Sequence, residues 1–169
     1  MSYVARIERL ESRLHLHADG TIHPESEWRV NAGGPAITLT DGREFRSEQG
    51  LVTGGGTSGT PMDVAGTSND ALYYTRRYGA SFGYDLPVPN GSYKVTLYFA
   101  ETHYTNAGQR TFDVRAEGQL KLNDFDIVSG IGAKRAGYRT FDVGVSDGRL
   151  DLDFAGVVGT ATVSGIEGS

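Results

Sequence analysis

Apolar and polar residues alternate in short runs after Trp28, and this period of two limits the fold more than any other feature. The clearest run is Ser92–Ala100, in which every second residue is apolar or aromatic. Because successive side chains of a strand point to opposite faces, the pattern indicates antiparallel strands that each bury one face. The expected core positions are Tyr93, Val95, Leu97 and Phe99; Phe112, Val114 and Ala116; Phe141, Val143 and Val145; and Leu150, Leu152 and Phe154. Roughly nine or ten such strands predict an all-β sandwich.

Turn-forming residues separate these runs. Asn90-Gly91 and Asp147-Gly148 are typical of two-residue hairpins, and Glu117-Gly118 occupies an equivalent place. Pro87 indicates a strand end, since proline cannot donate a ladder hydrogen bond. The glycine-rich run Gly54–Pro61 has almost nothing to bury, so the sequence predicts a long surface loop there.

The N-terminus follows a different period. Apolar residues recur every three or four positions from Tyr3 to Leu14, which predicts an amphipathic helix of about three turns. We divide the chain into this N-terminal extension (1–17), a linker (18–27) and the sandwich domain (28–168). A helix so short needs a packing partner. That partner would be the sandwich, a second copy of the chain, or the rest of a larger parent protein.

Composition excludes several classes of partner. A formal net charge of −5 argues against nucleic acid and against an anionic membrane surface, which both require clustered Lys and Arg. Cysteine is absent, so disulfide and thiolate chemistry are excluded, and we expect no cofactor. Residues 1–10 lack the apolar core of a signal peptide. We expect an extracellular location for a piece of a larger bacterial protein, and a cytoplasmic one if Met1 is the native start.

The residue types required for catalysis are not assembled in the sequence. Three of the four histidines precede the sandwich, and no Gly-x-Ser-x-Gly motif is present. The acidic residues of the alternating runs occupy outward positions, typical of a solvated sheet face rather than of a glycosidase cleft. Asn123–Asp126 offers oxygens to Ca²⁺, but a turn closed by side-chain hydrogen bonds is the simpler interpretation. His15 and His17 are too few ligands for a metal site. We expect neither an enzyme nor a metal centre.

Aromatic residues gather in two places. Tyr73, Tyr74 and Tyr78 share one segment, and His103-Tyr104 follows the run Ser92–Ala100. Adjacent aromatics cannot all face the core under a period of two, so some lie at a rim. Exposed rings suit the C–H face of a sugar, but tyrosines also plug sandwich ends with their hydroxyls in water. The residues by themselves leave both interpretations open.

Several ordered segments show a resemblance to a known family. They are Arg29–Gly34, Asp70–Gly79, Phe82–Gly91, Tyr93–Glu101, Gly108–Val114, Leu122–Ile127, Leu152–Gly156 and Ser164–Ile166. Over about Glu27 to Glu167 the chain resembles the malectin family of carbohydrate-binding domains. The resemblance implies a jelly-roll-like antiparallel β-sandwich whose end loops hold a glucose-type oligosaccharide, a glucan fragment, between aromatic side chains.

The resemblance also implies site residues. Tyr73 matches a sugar-stacking tyrosine, and His103-Tyr104 matches a pair of adjacent aromatics, with imidazole as a departure. We add Tyr74 as a further ring and Glu101 as a partner for sugar hydroxyls, with Gly54–Pro61 as one wall.

Two positions depart from the family pattern. Gly50-Leu51 stands where an aromatic pair is usual, and Val157–Thr160 has no acid where an Asp commonly binds sugar hydroxyls. This leaves an alternative function, a structural or assembly module that oligomerises through the N-terminal helix. The sugar-binding interpretation requires Tyr73 and Tyr104 to border one hollow.

Overall fold

The computed structural model describes residues 27–169 and, before them, the backbone of two short strands. These strands, β1 (Leu14–Leu16) and β2 (Ile22–Pro24), pair antiparallel. The helix predicted over Tyr3–Leu14 lies outside the described residues except for Leu14, which begins β1 and is therefore not helical. Strand β2 falls within the segment predicted as a linker.

Twelve strands, β3 to β14, lie within residues 27–169. Their bounds are Trp28–Asn31 (β3), Ile37–Thr38 (β4), Glu44–Ser47 (β5), Val52–Gly59 (β6), Thr75–Pro87 (β7), Gly91–Ala100 (β8), Thr111–Ala116 (β9), Gln119–Phe125 (β10), Ala136–Val145 (β11), Arg149–Val158 (β12), Ala161–Val163 (β13) and Gly165–Gly168 (β14). A 3-10 helix, Asp70–Tyr73, precedes β7, and one short α-helix, α1 (Ile127–Gly130), follows β10. Neither helix could span a bilayer, and the described residues contain no other that could.

The strands form two six-stranded sheets. Sheet 1 has the order β11-β8-β14-β3-β5-β4, with β3 and β5 parallel. Sheet 2 has the order β10-β9-β12-β7-β13, and β6 also pairs with β7. The prediction of an all-β sandwich is confirmed.

The main core lies between the sheets and contains the positions that alternation selects. All of them are buried except Phe141, which packs half-buried against the others. Phe82 stacks on Phe154 with ring centroids 4.7 Å apart, and Phe99 lies 5.9 Å from Phe112. Burial of one such side chain stabilises the fold by about 1.5–3 kcal/mol.

Of the three turn dipeptides, only one forms a hairpin between neighbouring strands. Glu117-Gly118 forms the two-residue hairpin, with both residues at positive φ and β9 paired to β10. Asn90-Gly91 and Asp147-Gly148 instead carry the chain from one sheet to the other. These two crossings support each other, because the Gly148 N–H donates to the Asn90 side-chain oxygen at 2.7 Å.

The predicted loop over Gly54–Pro61 is wrong, because residues up to Gly59 belong to β6. Backbone hydrogen bonds to β7 hold the glycines of this strand in the sheet, and a bulge separates Gly54 from Gly56. Glycine is required here for close approach: a Cβ on Gly79 would lie 2.8 Å from the Gly55 Cα. A segment that lacks apolar side chains can therefore still form a strand.

This close approach gives a test of stability. Gly79→Ala should destabilise the protein by about 1–3 kcal/mol, because the new methyl meets backbone that cannot move aside. Gly144→Ala is the matched control, since a Cβ there meets nothing within 4 Å. It should be neutral or stabilise by up to about 1 kcal/mol. Urea unfolding measures both, and equal effects would contradict the close packing of β6 on β7.

Candidate functional site

Glu101 directly follows the long strand β8 and holds the loop after it. Its side chain is only 2% exposed. One carboxylate oxygen accepts the backbone N–H groups of His103 and Tyr104 at 3.0 and 3.2 Å, and the other accepts Arg110 Nε at 2.6 Å. The sequence assigned Glu101 to sugar hydroxyls, but its oxygens are buried and occupied by protein donors. The structure gives it a positioning role.

Arg110 completes this support from the other side of the loop. Its side chain is buried, and Nη1 donates to the Thr160 carbonyl at 2.9 Å. The guanidinium carbon lies 5.1 Å from the centre of the Tyr104 ring, a cation–π arrangement. The Tyr104 ring is thus backed by a charge that is itself fixed.

His103 and Tyr104 meet edge to face, with ring centroids 4.6 Å apart and planes at 74°. His103 is exposed and Tyr104 half-buried. The loop is fixed further along, where the Gly108 N–H donates to the Asp126 carboxylate at 2.6 Å. The pair of rings is therefore presented to solvent from an anchored loop.

Tyr78 belongs to the same neighbourhood. It is 38% exposed and shares one face of β7 with Arg76, two residues away. Arg76 Nη1 donates to the Thr102 hydroxyl, directly before His103. A Cβ on Gly56 of the adjacent strand would lie 3.9 Å from the Tyr78 ring, so glycine there leaves that ring uncovered. We call Tyr78, His103 and Tyr104 the aromatic platform.

Arg76 supplies the platform with donors. Burial lowers the pKa of its guanidinium below the ordinary value, though the group stays charged. Within residues 27–169, only its Nη1 has a hydrogen-bond partner, which leaves other N–H groups for a ligand. The sequence analysis missed Arg76 and did not select Tyr78. The available signal was the run of polar and small residues from Thr75 to Ser81, which no buried strand face would carry.

Tyr73 lies elsewhere. Its side chain is 8% exposed and packs with Leu39, Phe45 and Val64 in a second, smaller core cluster. It lines a hollow that Tyr104 does not line. The requirement that Tyr73 and Tyr104 border one hollow is not met there, and buried Tyr73 offers no open face for stacking.

Tyr74 is the C-cap residue that follows the 3-10 helix, and it is half-buried. Its carbonyl accepts the Thr60 N–H at 2.9 Å, which fixes the start of β7 against the end of β6. It does not line the hollow beside Tyr73.

The segment that lacks the expected acid lies beside the platform. Thr160 contacts Arg110, which backs Tyr104, and Val157 and Val158 of the same segment are exposed. Within the part of the chain that the structure describes, no three His, Asp or Glu side chains are grouped to hold a metal. Asp126, in the segment considered for Ca²⁺, caps α1 by accepting the Ser129 N–H at 3.0 Å.

Comparison with known proteins identifies the family. A family model described as the malectin domain matches residues 26–167. The chain belongs to the malectin domain family. Human malectin is 33% identical over 152 residues, which cover 86% of this chain and 51% of the human protein. This malectin domain thus spans about half the length of the curated relatives it matches.

Solved structures share the fold of this malectin domain. The plant receptor-like kinase FER has a TM-score of 0.72 at 25% identity, over 85% of this chain and 41% of that one. A β-glucuronidase of Bacteroides uniformis has a TM-score of 0.75 at 21% identity. The match covers 84% of this chain but 17% of the enzyme, so it shows a common fold with a small part of that protein.

The role of Glu101 can be tested by stability. Glu101→Ala should cost about 3–5 kcal/mol, because Arg110 would be left buried without a counter-charge. The amide hydrogens of His103 and Tyr104 should also exchange faster. Denaturant unfolding and hydrogen exchange measure these effects. Asp85→Ala is the control, because its pair with Arg149 is half exposed and should contribute little. Similar losses in both variants would contradict the positioning role.

The burial of Tyr73 predicts a pH effect. Burial raises the pKa of its phenol from 10.0 to about 12. Between these values the unfolded chain releases a proton that the folded state keeps, so stability falls as pH rises through this interval. Tyr73→Phe lacks this loss. Urea unfolding at about pH 8 and about pH 11 should show a smaller drop in the variant than in the parent chain. An equal drop would mean that Tyr73 is accessible to water.

Proposed function

We propose that this malectin domain is a non-catalytic carbohydrate-binding module that takes a glucose-type oligosaccharide on the aromatic platform. One observation carries the proposal: the adjacent rings of His103 and Tyr104 reach the surface from a loop that is held in place. Glu101 accepts the backbone N–H groups of both residues, and the Arg110 guanidinium packs against the Tyr104 ring. Membership of the malectin family supports the same assignment.

The platform suits a pyranose ring for physical reasons. The axial C–H groups of glucose form an apolar face that packs on an aromatic ring, while its equatorial hydroxyls point to the sides. Tyrosine presents a wide apolar surface with few rotatable bonds, so little entropy is lost when it binds. Because the loop is already held by buried hydrogen bonds, binding does not require it to become ordered.

The protein groups that would hydrogen-bond a sugar on the platform are mainly donors. Arg76 has N–H groups directed to the same face as Tyr78, and the His103 ring offers one donor or acceptor. These groups can pair with sugar oxygens at the ring edges. The exposed valines of Val157–Thr160 add apolar contact where the family pattern has an acid.

The alternative, an assembly module, rests on the predicted helix over Tyr3–Leu14. That segment lies outside the described residues apart from Leu14, which is in a strand. Self-association and attachment to a larger protein remain proposals with no supporting contact, and the family comparison favours carbohydrate binding.

Calorimetric titration with maltose, nigerose and longer glucans tests the proposal. We expect dissociation constants of about micromolar to millimolar, that is about −8 to −4 kcal/mol. Tyr104→Ala and Tyr78→Ala should each weaken binding about tenfold, through loss of about 1.4 kcal/mol of stacking.

Leu120→Ala is the matched control, since Leu120 is an exposed apolar residue on β10, away from the platform. It should bind like the parent chain. The proposal fails if folded protein binds no member of a broad glycan panel, or if the platform variants bind as well as the control.

A further inference from the structure

A concave surface lies away from the contacts of the platform. It is a hollow of about 220 Å³ between the end of the 3-10 helix and the start of β11. Three tyrosine rings line it, from Tyr73, Tyr98 and Tyr138, together with Arg43, Thr67 and Asn69. Tyr138 is 60% exposed and lies 6.4 Å from Tyr98 between ring centroids. The hollow is thus walled by aromatic surface and edged with polar groups.

The hydroxyl of Tyr73 has no protein partner in this hollow. Among residues 27–169 no hydrogen bond reaches it, although its side chain is more than nine-tenths buried. By contrast, the Tyr98 hydroxyl donates to Glu167 at 2.5 Å and accepts from Arg43 at 2.9 Å. Among the described residues, the Trp28 ring nitrogen is the one fully buried side-chain polar atom without a partner, so the unpaired Tyr73 hydroxyl keeps some contact with the open space of the hollow. Tyr73 therefore supplies free hydrogen-bonding capacity in the hollow.

The charges around the hollow exclude an anionic ligand. Arg43 is its only cation within the described lining, and it is paired with Asp41 at 3.0 Å and with Glu167 at 3.0 Å. Asn69 is also committed, because its side-chain oxygen accepts two bonds from Thr40. The hydroxyls of Tyr73 and Tyr138 remain free, whereas the Thr67 hydroxyl already accepts the Asn69 N–H at 2.9 Å and keeps its proton to donate. Neutral hydroxyls that donate and accept pair best with the hydroxyls of an uncharged ligand.

The size of the hollow limits the ligand further. Pockets for drug-sized molecules begin at about 300 Å³, and this hollow is smaller. It can enclose one six-membered ring but not a whole disaccharide. Its lining combines apolar ring faces with free hydroxyls, which matches the two kinds of surface that a pyranose presents.

We propose that this hollow is a second ligand site, separate from the aromatic platform, which takes a single neutral sugar ring. Tyr138 would cover the apolar face of the sugar, and Tyr73 would hydrogen-bond one of its hydroxyls at the bottom. The ring is either a free monosaccharide or the end residue of a chain. The site does not depend on the platform, since none of the platform residues lines it.

Amide shifts in ¹H–¹⁵N NMR spectra of the full chain test the proposal. Glucose, galactose, mannose and methyl glucoside would each be added up to about 50 mM, enough to detect millimolar binding. We expect at least one sugar to shift Gly66, Asn69 and Gly137, which line the hollow. Tyr138→Ala should weaken this binding at least tenfold. Tyr73→Phe should weaken it about fivefold while leaving stability at neutral pH unchanged.

Leu120→Ala again serves as the control and should retain the shifts. The proposal is overturned if none of the sugars shifts the hollow amides, or if Tyr138→Ala shifts as the parent chain does. Shifts confined to His103 and Tyr104 would also overturn it while leaving the proposed function intact. Shifts confined to the hollow would support the second site and count against the platform.

Discussion

The ion pair between Glu101 and Arg110 joins the two sheets at the end of the sandwich where the platform lies. Glu101 follows β8 of sheet 1, and Arg110 precedes β9 of sheet 2. Both side chains are more than nine-tenths buried, so each charge has lost most of its water. Such a pair is tolerated only when the remaining polar atoms are also bonded. The His103 and Tyr104 amides and the Thr160 carbonyl meet that requirement, so the conformation of the loop follows from the need to satisfy buried charges.

Alternation in the sequence predicted the core because burial of one sheet face is a property of each strand separately. Connections are different, since the same local geometry serves several topologies. Gly118 and Gly148 both adopt positive φ, at 73° and 79°, yet one closes a hairpin and the other leads to the opposite sheet. The dipeptide determines only that the chain turns. Which strand the next segment pairs with depends on contacts between residues far apart in the sequence. Strand β6 escaped prediction for a related reason, since backbone pairing with β7, rather than burial of its own side chains, holds its glycines in the sheet.

The sequence located the segments of the candidate site better than the individual rings. Strict alternation from buried Tyr84 and Phe82 would put Tyr78 in the core. Pairing with β6 is interrupted there: Gly54 opposes Phe82, but Gly56 opposes Tyr78, so β7 contains extra residues. Regular alternation is not kept through this irregularity: Tyr78 is exposed, while Arg77 pairs with buried Glu48 at 2.5 Å. A bulge leaves no clear mark in one sequence, so the sequence pointed to Tyr73, and only the structure brings out Tyr78 as the exposed ring.

The departure at Val157–Thr160 has a physical consequence for the proposed platform. A carboxylate there would accept hydrogen bonds from sugar hydroxyls and would compete for Arg110, which Glu101 and Thr160 already occupy. A valine side chain accepts no hydrogen bond, so the polar contacts to a sugar would come mainly from donor groups. Arg76 is the charged donor among them. With fewer directional acceptors, stacking and the fixed placement of His103 and Tyr104 must carry more of the affinity. In the proposed function, the rigidity of the Glu101 support would allow a small aromatic surface to bind a sugar.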